Sequence, residues 1–106
     1  MAMATISALY PNEPGSHFDG DYYRDRHTPF ATRLLTPFGL ESVRSLYGVA
    51  SLDGTPPGFW AISEMVFKSR QAFDDAMAQC GEELFSDIRN YTSVTPLLQE
   101  SEQVDS

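Results

Sequence analysis

Residues Phe59–Phe67 read Phe-Trp-Ala-Ile-Ser-Glu-Met-Val-Phe, the strongest strand signal in the chain. Successive side chains of a strand point to opposite faces of a sheet. Apolar residues fall on both faces here, with Phe59, Ala61, Met65 and Phe67 on one and Trp60, Ile62 and Val66 on the other. A strand that is apolar on both faces is normally covered on both sides. The segment therefore predicts a strand that has a packed layer on each face.

The segments around this strand predict the order β-α-β-β-α-β. The other predicted strands cover residues 4–10, 43–50 and 92–99, and the predicted helices follow the N-cap residues Asp19 and Ser69. Gly81 is the predicted stop of the second helix. Pro96 cannot donate to a ladder, so the last strand should lie at an edge or carry a bulge. This order predicts an α+β, ferredoxin-like fold, a four-stranded antiparallel sheet with two helices on one face.

Two helices on one face leave the other face of the sheet open. The apolar residues on that face of the third strand then need a different cover, and a second copy of the same sheet is the simplest one. We therefore expect a homodimer in which two sheets face each other around a barrel-like interior, a dimeric α/β barrel.

The first helix places a histidine within an apolar stripe. Helical spacing aligns Tyr23, His27, Phe30, Ala31 and Leu34. A histidine in that stripe points at the core or at a cavity, and it is the natural proton carrier near neutral pH. The alternative is a buried neutral imidazole whose nitrogens are satisfied within the core.

The same helix carries two local signals near its start. Phe18 and Tyr23 occupy the positions of a hydrophobic staple around the Asp19 cap. Pro29 falls inside the helix and removes a backbone hydrogen bond, which predicts a kink just after His27. The helix should end by Thr36-Pro37.

Glu64 is the second polar signal, because it interrupts the face of the third strand shared by Trp60, Ile62 and Val66. If that face lines an enclosed cavity, the carboxylate is desolvated and could act as an acid or base. If it is solvated, or paired with Arg44 on the neighbouring strand, Glu64 has a structural role.

Composition restricts the possible partners. The chain has 106 residues, 15 acidic against 7 basic ones and a formal net charge of −8. This balance argues against nucleic acid and anionic membranes as partners. We expect one domain over residues 1–100, a polar tail over 101–106 and a cytoplasmic location. The single Cys80 reads as a core thiol, and no spacing of Cys and His suggests a metal site or a cofactor.

Three segments resemble the EthD-like family of the dimeric α/β-barrel superfamily. The first comprises Tyr10-Pro11, Gly15, Phe18-Asp19, Asp21-Tyr22-Tyr23 and His27-x-Pro29. The others are Ala61–Ser69 with Ala72-Phe73, and Asp87–Thr92, so the resemblance spans about residues 6–99. The family takes its name from a protein encoded with an ether-degrading oxidation system. The resemblance implies the fold and the homodimer, but no particular reaction.

Our leading functional hypothesis is a cofactor-independent enzyme that acts by proton transfer on a small hydrophobic, oxygenated catabolic intermediate. His27 would move the proton, Tyr23 would orient the ligand, and Glu64 would tune the polarity of the cavity. Candidate substrate-binding residues are Tyr22, Trp60, Phe30 and Tyr91; for the two tyrosines and Trp60, plain packing is the alternative. A non-catalytic ligand-binding accessory protein of an oxidative pathway is the second hypothesis, and haem binding through His27 or His17 is the third.

Overall fold

A four-stranded antiparallel sheet forms one layer of the molecule. The structure, a computed structural model, describes residues 3–102 and residue 104. The strands are β1 Ala4–Pro11, β2 Leu40–Tyr47, β3 Phe59–Phe67 and β4 Leu97–Ser101. Their order across the sheet is β2-β3-β1-β4, and each neighbouring pair is antiparallel. The ferredoxin-like fold predicted from the sequence is confirmed.

The helices form the second layer, on one face of the sheet. The first helical segment comprises α1 Gly20–Tyr22, a π-helical turn Tyr23–His27 and α2 Thr28–Leu35, which run on without a break. A 3-10 turn Thr36–Phe38 follows it. The second is α3 Arg70–Ser86, followed by a 3-10 turn Ile88–Asn90.

Both helices begin at the predicted caps. The Asp19 carboxylate accepts a hydrogen bond from the backbone N–H of Tyr22 at 3.1 Å, and the Ser69 hydroxyl accepts one from Ala72 at 3.0 Å. These contacts satisfy donors that the first turn of a helix leaves free. The rings of Phe18 and Tyr23 lie 5.2 Å apart, as the predicted staple requires.

The disruption expected at Pro29 takes the form of a π turn that ends at His27. The N–H of Thr28 donates to the carbonyl of Tyr23, five residues back rather than four. Pro29 has no N–H for the carbonyl of Asp25, and in a regular helix its ring would press on that carbonyl. The wider π turn accommodates one extra residue at this point.

The predicted boundaries of three elements were wrong: those of β2, of α3 and of the last strand, β4. Strand β2 covers residues 40–47 rather than 43–50, because Gly39 ends the preceding turn at φ 107° and Leu40 already pairs with Phe67. Gly81 does not stop α3; it is buried inside the helix, where a side chain would meet only Met77 and Phe85.

The last strand begins at Leu97 rather than at Thr92. Thr92 makes only an isolated bridge to Phe18, and Pro96 precedes the ladder. Strand β4 lies at a sheet edge, as the proline predicted. It extends through Ser101, and residues 103, 105 and 106 of the predicted tail lie outside the described residues.

Two apolar clusters fill the space between the helices and the sheet. One centres on Leu35 and Phe67, both fully buried, and also contains the buried thiol of Cys80. The other is rich in tyrosine and contains Tyr10, Tyr23 and Tyr91. Across residues 3–102 and 104, no helix is both long enough and apolar enough to span a membrane.

The β2–β3 hairpin depends on a close backbone approach at Gly48, which suggests a stability test. A Cβ atom at Gly48 would lie 2.0 Å from the carbonyl oxygen of Phe59, whereas one at Gly58 in the same connection would meet open space. We expect Gly48→Ala to lower the free energy of unfolding by about 1–3 kcal/mol, as overpacking typically does. Gly58→Ala should stay within about 0.5 kcal/mol of the wild type. Urea unfolding followed by circular dichroism measures both, and equal midpoints for the two variants would contradict the argument.

Candidate functional site

A cavity lies between the helices and the face of the sheet that they cover. Its floor is formed by alternate residues of the two central strands: Ile6, Ala8 and Tyr10 of β1, and Ser63 and Met65 of β3. Its helical side is formed by Tyr23, His27, Thr28, Ala31, Phe73 and Met77. The cavity is mainly apolar and encloses about 50 Å³, room for a few water molecules as it stands. His27 and Tyr23, two of the predicted catalytic residues, border this cavity, whereas the barrel-like interior expected between two facing sheets would lie on the other face of the sheet.

His27 borders this cavity and is hydrogen-bonded to a carboxylate from the other helical segment. The residue is 7% exposed, and Nδ1 lies 2.8 Å from Oδ2 of Asp87, just after α3. With Nδ1 on the carboxylate, the neutral tautomer carries its hydrogen there, and Nε2 is left with a free lone pair. Burial lowers the pKa of His27 below its ordinary value, although the hydrogen bond and charge of Asp87 offset part of that effect. At neutral pH this imidazole is an uncharged base.

Asp87 is held by three donors. Its Oδ1 accepts from the Tyr22 hydroxyl at 2.7 Å and from the Asn90 amide at 2.9 Å, while Oδ2 receives His27. Partial burial raises the pKa of Asp87, but the hydrogen bonds from Asn90, His27 and Tyr22 bring it below the ordinary value. The carboxylate therefore remains ionised and fixes both the tautomer and the orientation of the imidazole.

Two tyrosine rings pack against the imidazole, and a third tyrosine is bonded to one of them. The hydroxyls of Tyr10 and Tyr91 lie 2.7 Å apart, and the Tyr91 ring packs on the His27 ring at 4.6 Å. The Tyr23 ring stacks on His27 at 5.7 Å, and its hydroxyl lies 3.2 Å from that of Ser45. Burial raises the pKa of both Tyr10 and Tyr91, so both phenols stay protonated.

The structure brings together His27, Tyr23, Tyr22 and Tyr91 of the residues predicted from the sequence. Phe30 instead packs on the Leu35 cluster. Trp60 stacks on Phe18 with ring centroids 6.3 Å apart and donates its indole N–H to the Ser16 hydroxyl. His17, the alternative haem ligand, is exposed in the loop before α1.

Glu64 does not join the histidine. It alternates with Ser63 along β3, so it lies on the opposite, open face of the sheet. There its Oε1 accepts a hydrogen bond from Arg44 at 2.6 Å, on the neighbouring strand. From the sequence, pairing with Arg44 was the structural alternative for Glu64, and this pair is the one observed. A role for Glu64 in the cavity of its own chain is therefore a correction to the sequence-based expectation.

Asp87 was missed as a site residue because it is 60 positions from His27 and sits among exposed acids at the end of a helix. One feature of the sequence could have identified Asp87 as a site residue. It lies in Asp87–Thr92, one of the three segments that resemble the EthD-like family. Within residues 3–102 and 104, no group of three His, Cys, Asp or Glu side chains is arranged to hold a metal ion.

Three comparisons with known proteins show what this chain is similar to. A scan against family models found no match. An uncharacterised 11.0 kDa protein of the thcB-thcC intergenic region of Rhodococcus erythropolis is 29% identical, with 98% of each chain covered. The fold also matches SnoaB, a cofactor-independent oxygenase from Streptomyces nogalater, with a TM-score of 0.64, 14% identity and coverage of 98% and 97%.

The crystal structure of an EthD-like protein from Ralstonia eutropha is much more similar. It shares 36% sequence identity with this chain and superposes with a TM-score of 0.88. The match covers 96% of this chain and 92% of the Ralstonia protein. The sequence resemblance and the fold therefore agree, and the chain belongs to the EthD-like family.

Proposed function

We propose that this protein is a cofactor-independent enzyme that moves a proton on a small hydrophobic, oxygenated compound. The observation that carries the proposal is the pair formed by His27 and Asp87 at the edge of an apolar cavity. An imidazole with Nδ1 on a carboxylate and Nε2 free is arranged as a general base. SnoaB shows that a protein of this fold can act without a cofactor.

The surroundings of His27 favour a particular kind of ligand. Most of the cavity is lined by aliphatic and aromatic carbon, which suits an apolar molecule. The polar residues that line it are few: Tyr10, Tyr23, Thr28, Ser63 and His27. A ligand with an apolar body and one oxygenated end matches this distribution. We assign Tyr22 a supporting role, because its hydroxyl binds Asp87 rather than the cavity.

Solvent exchange tests proton transfer without a known substrate. The protein is incubated in D2O with a panel of small ketones, lactones and phenols, and loss of carbon-bound hydrogen is followed by NMR. His27→Gln should slow the exchange of the best compound by roughly a hundredfold or more, since a positioned general base typically contributes that much. His17→Gln, which changes the exposed loop histidine, is the matched control and should exchange at the wild-type rate.

The same experiment separates the enzyme from a carrier. Exchange at the wild-type rate in a folded His27→Gln variant would show that His27 is not the base. If the wild type binds panel compounds but exchanges none of them, a ligand-binding accessory protein becomes the better description.

A second prediction concerns the titration of His27. Because burial lowers its pKa, we expect the imidazole to titrate below the ordinary histidine value of about 6.5. Asp87 raises that pKa, so Asp87→Asn should lower it further. The chemical shift of the imidazole Cε1 proton against pH measures both values. A His27 pKa above the ordinary value, or an upward shift in Asp87→Asn, would contradict the assignment.

The lowered pKa of His27 also makes the stability of the folded protein depend on pH. The folded protein binds the His27 proton less tightly than the unfolded chain does. Its contribution to stability is therefore present above the ordinary histidine pKa and is lost as the pH falls through the range below it. His27→Gln should remove this part of the pH dependence of the thermal midpoint.

We also propose that the open face of the sheet pairs with that of a second copy. Strand register aligns one apolar row across all four strands: Leu46, Ile62, Leu9 and Leu97. At the two edges, Leu46 is 52% exposed and Leu97 is 57% exposed. An apolar row of this length on an uncovered sheet face is typical of a protein interface.

The dimer is tested by placing a charge in the centre of that row. Ile62→Lys should convert the dimer to a monomer, because pairing would bury an ammonium group without a partner. Leu52→Lys, in the loop where Leu52 is fully exposed, is the control and should leave the mass unchanged. Light scattering after size exclusion measures both. A wild-type monomer, or a dimeric Ile62→Lys variant, would contradict the interface.

A further inference from the structure

The paired phenols of Tyr10 and Tyr91 contain one more hydrogen than their mutual contact uses. Their oxygens are 2.7 Å apart, so one hydroxyl donates to the other. Each phenol carries a single hydrogen, and the acceptor of this bond therefore keeps its own hydrogen for another partner. Among the described residues, neither hydroxyl makes any other hydrogen bond.

The surroundings decide which phenol donates within the pair. Tyr91 is 1% exposed and is enclosed by the rings of Tyr10, Phe18, Tyr22, Tyr23 and His27. Tyr10 borders the cavity. A buried donor without an acceptor is costly, so the unpaired hydrogen belongs on the phenol that can reach a ligand or water. This arrangement favours Tyr91 as the donor, which leaves the O–H of Tyr10 available to a ligand in the cavity that Tyr10 borders.

This donor and the base face the same space. Tyr10 lies on the sheet floor and His27 on the helical side, and both border the cavity. The two are linked through Tyr91, whose hydroxyl contacts Tyr10 and whose ring packs on His27 at 4.6 Å. A phenol that itself accepts a hydrogen bond is a stronger donor, because hydrogen bonds in a chain polarise one another.

We propose that Tyr10 is a catalytic residue that donates to the oxygen of the substrate, and that the substrate is an enolisable carbonyl compound with an apolar body. The proposal rests on the proton transfer proposed for His27 and names the substrate class for it. An oxygen that gains negative charge during the reaction is stabilised by a donor already in place, which is the principle of an oxyanion hole.

The reaction step follows from these two groups. Nε2 of His27 takes a proton from the carbon next to the carbonyl, and the electron pair of that C–H bond forms the C=C bond of the enolate. The carbonyl π electrons move to oxygen, where the Tyr10 O–H donates a hydrogen bond. The imidazolium beside Asp87 then returns the proton to the same carbon or to a conjugated one, so the step needs no oxidant and can end in isomerisation.

Binding of an oxyanion tests Tyr10 independently of turnover. The probe is para-nitrophenolate, an apolar ring with one anionic oxygen, titrated at mildly alkaline pH and followed by its absorbance. Burial raises the pKa of Tyr10, so the phenol remains a donor under these conditions. We expect Tyr10→Phe to weaken binding by roughly ten- to a hundredfold, as loss of a hydrogen bond to a charged group does.

Binding by two further variants is compared with binding by Tyr10→Phe. Tyr91→Phe should weaken binding less than Tyr10→Phe, because it removes the donor behind Tyr10 and leaves the one that faces the cavity. Tyr47→Phe is the matched control, since the Tyr47 hydroxyl donates to the carbonyl of Gly20 outside the cavity; it should bind like the wild type. Equal dissociation constants for wild type and a folded Tyr10→Phe variant, or no binding by the wild type, would overturn the proposal.

His27→Gln separates this proposal from the one on which it rests. That variant should still bind para-nitrophenolate, because Tyr10 is intact, while losing deuterium exchange. If it keeps exchange and Tyr10→Phe loses binding, the role of His27 fails and that of Tyr10 stands. If it loses exchange and Tyr10→Phe binds like the wild type, the reverse holds.

Discussion

The hydrogen bond between His27 and Asp87 joins the two helical segments above the sheet. Its partners are 60 residues apart, one at the end of a π turn and the other just after α3. The carboxylate also receives Tyr22 and Asn90, so a single side chain fixes the end of α3, the turn that follows it and the start of the first helical segment. A partly buried carboxylate is tolerated because its oxygens are occupied by donors. The contact therefore ties together the two helical segments that cover the cavity.

The π turn decides which side chains of the first helical segment reach the cavity. A regular helix would align Tyr23 with His27, Phe30 and Leu34 along one stripe. The turn adds one residue, so Thr28, five positions after Tyr23, lines the cavity beside His27. Beyond it the cavity is lined by Ala31, while Phe30 packs on the core. The prediction that Phe30 binds substrate depended on a helical period that Pro29 prevents.

Local signals in the sequence were reliable where a single residue determines the structure. Asp19 and Ser69 cap the helices, Pro96 marks an edge strand, and the alternation of residues 59–67 predicted the bounds of β3. The site required contacts between distant segments, which no local pattern contains. Asp87 has the same appearance in the sequence as the exposed acids near it, and only the fold brings it to His27. Gly81 shows the converse case, in which tertiary packing keeps a glycine inside a helix that local propensity would end there.

Two adjacent residues of β3, Ser63 and Glu64, lie on opposite faces of the sheet. Ser63 is 6% exposed and faces the cavity, while Glu64 pairs with Arg44 on the open face. Strand alternation makes it impossible for both to serve one site in the same chain. A charged pair on the open face stands in the row next to the apolar one, where it would restrict how a second sheet can be aligned. The imidazole and the hydroxyl-bearing residues that line the cavity lie on the covered face, between the sheet and the helices. The polar residues that first suggested a single catalytic set therefore lie on two faces of the sheet, His27 and Tyr23 on the covered face and Glu64 on the open one.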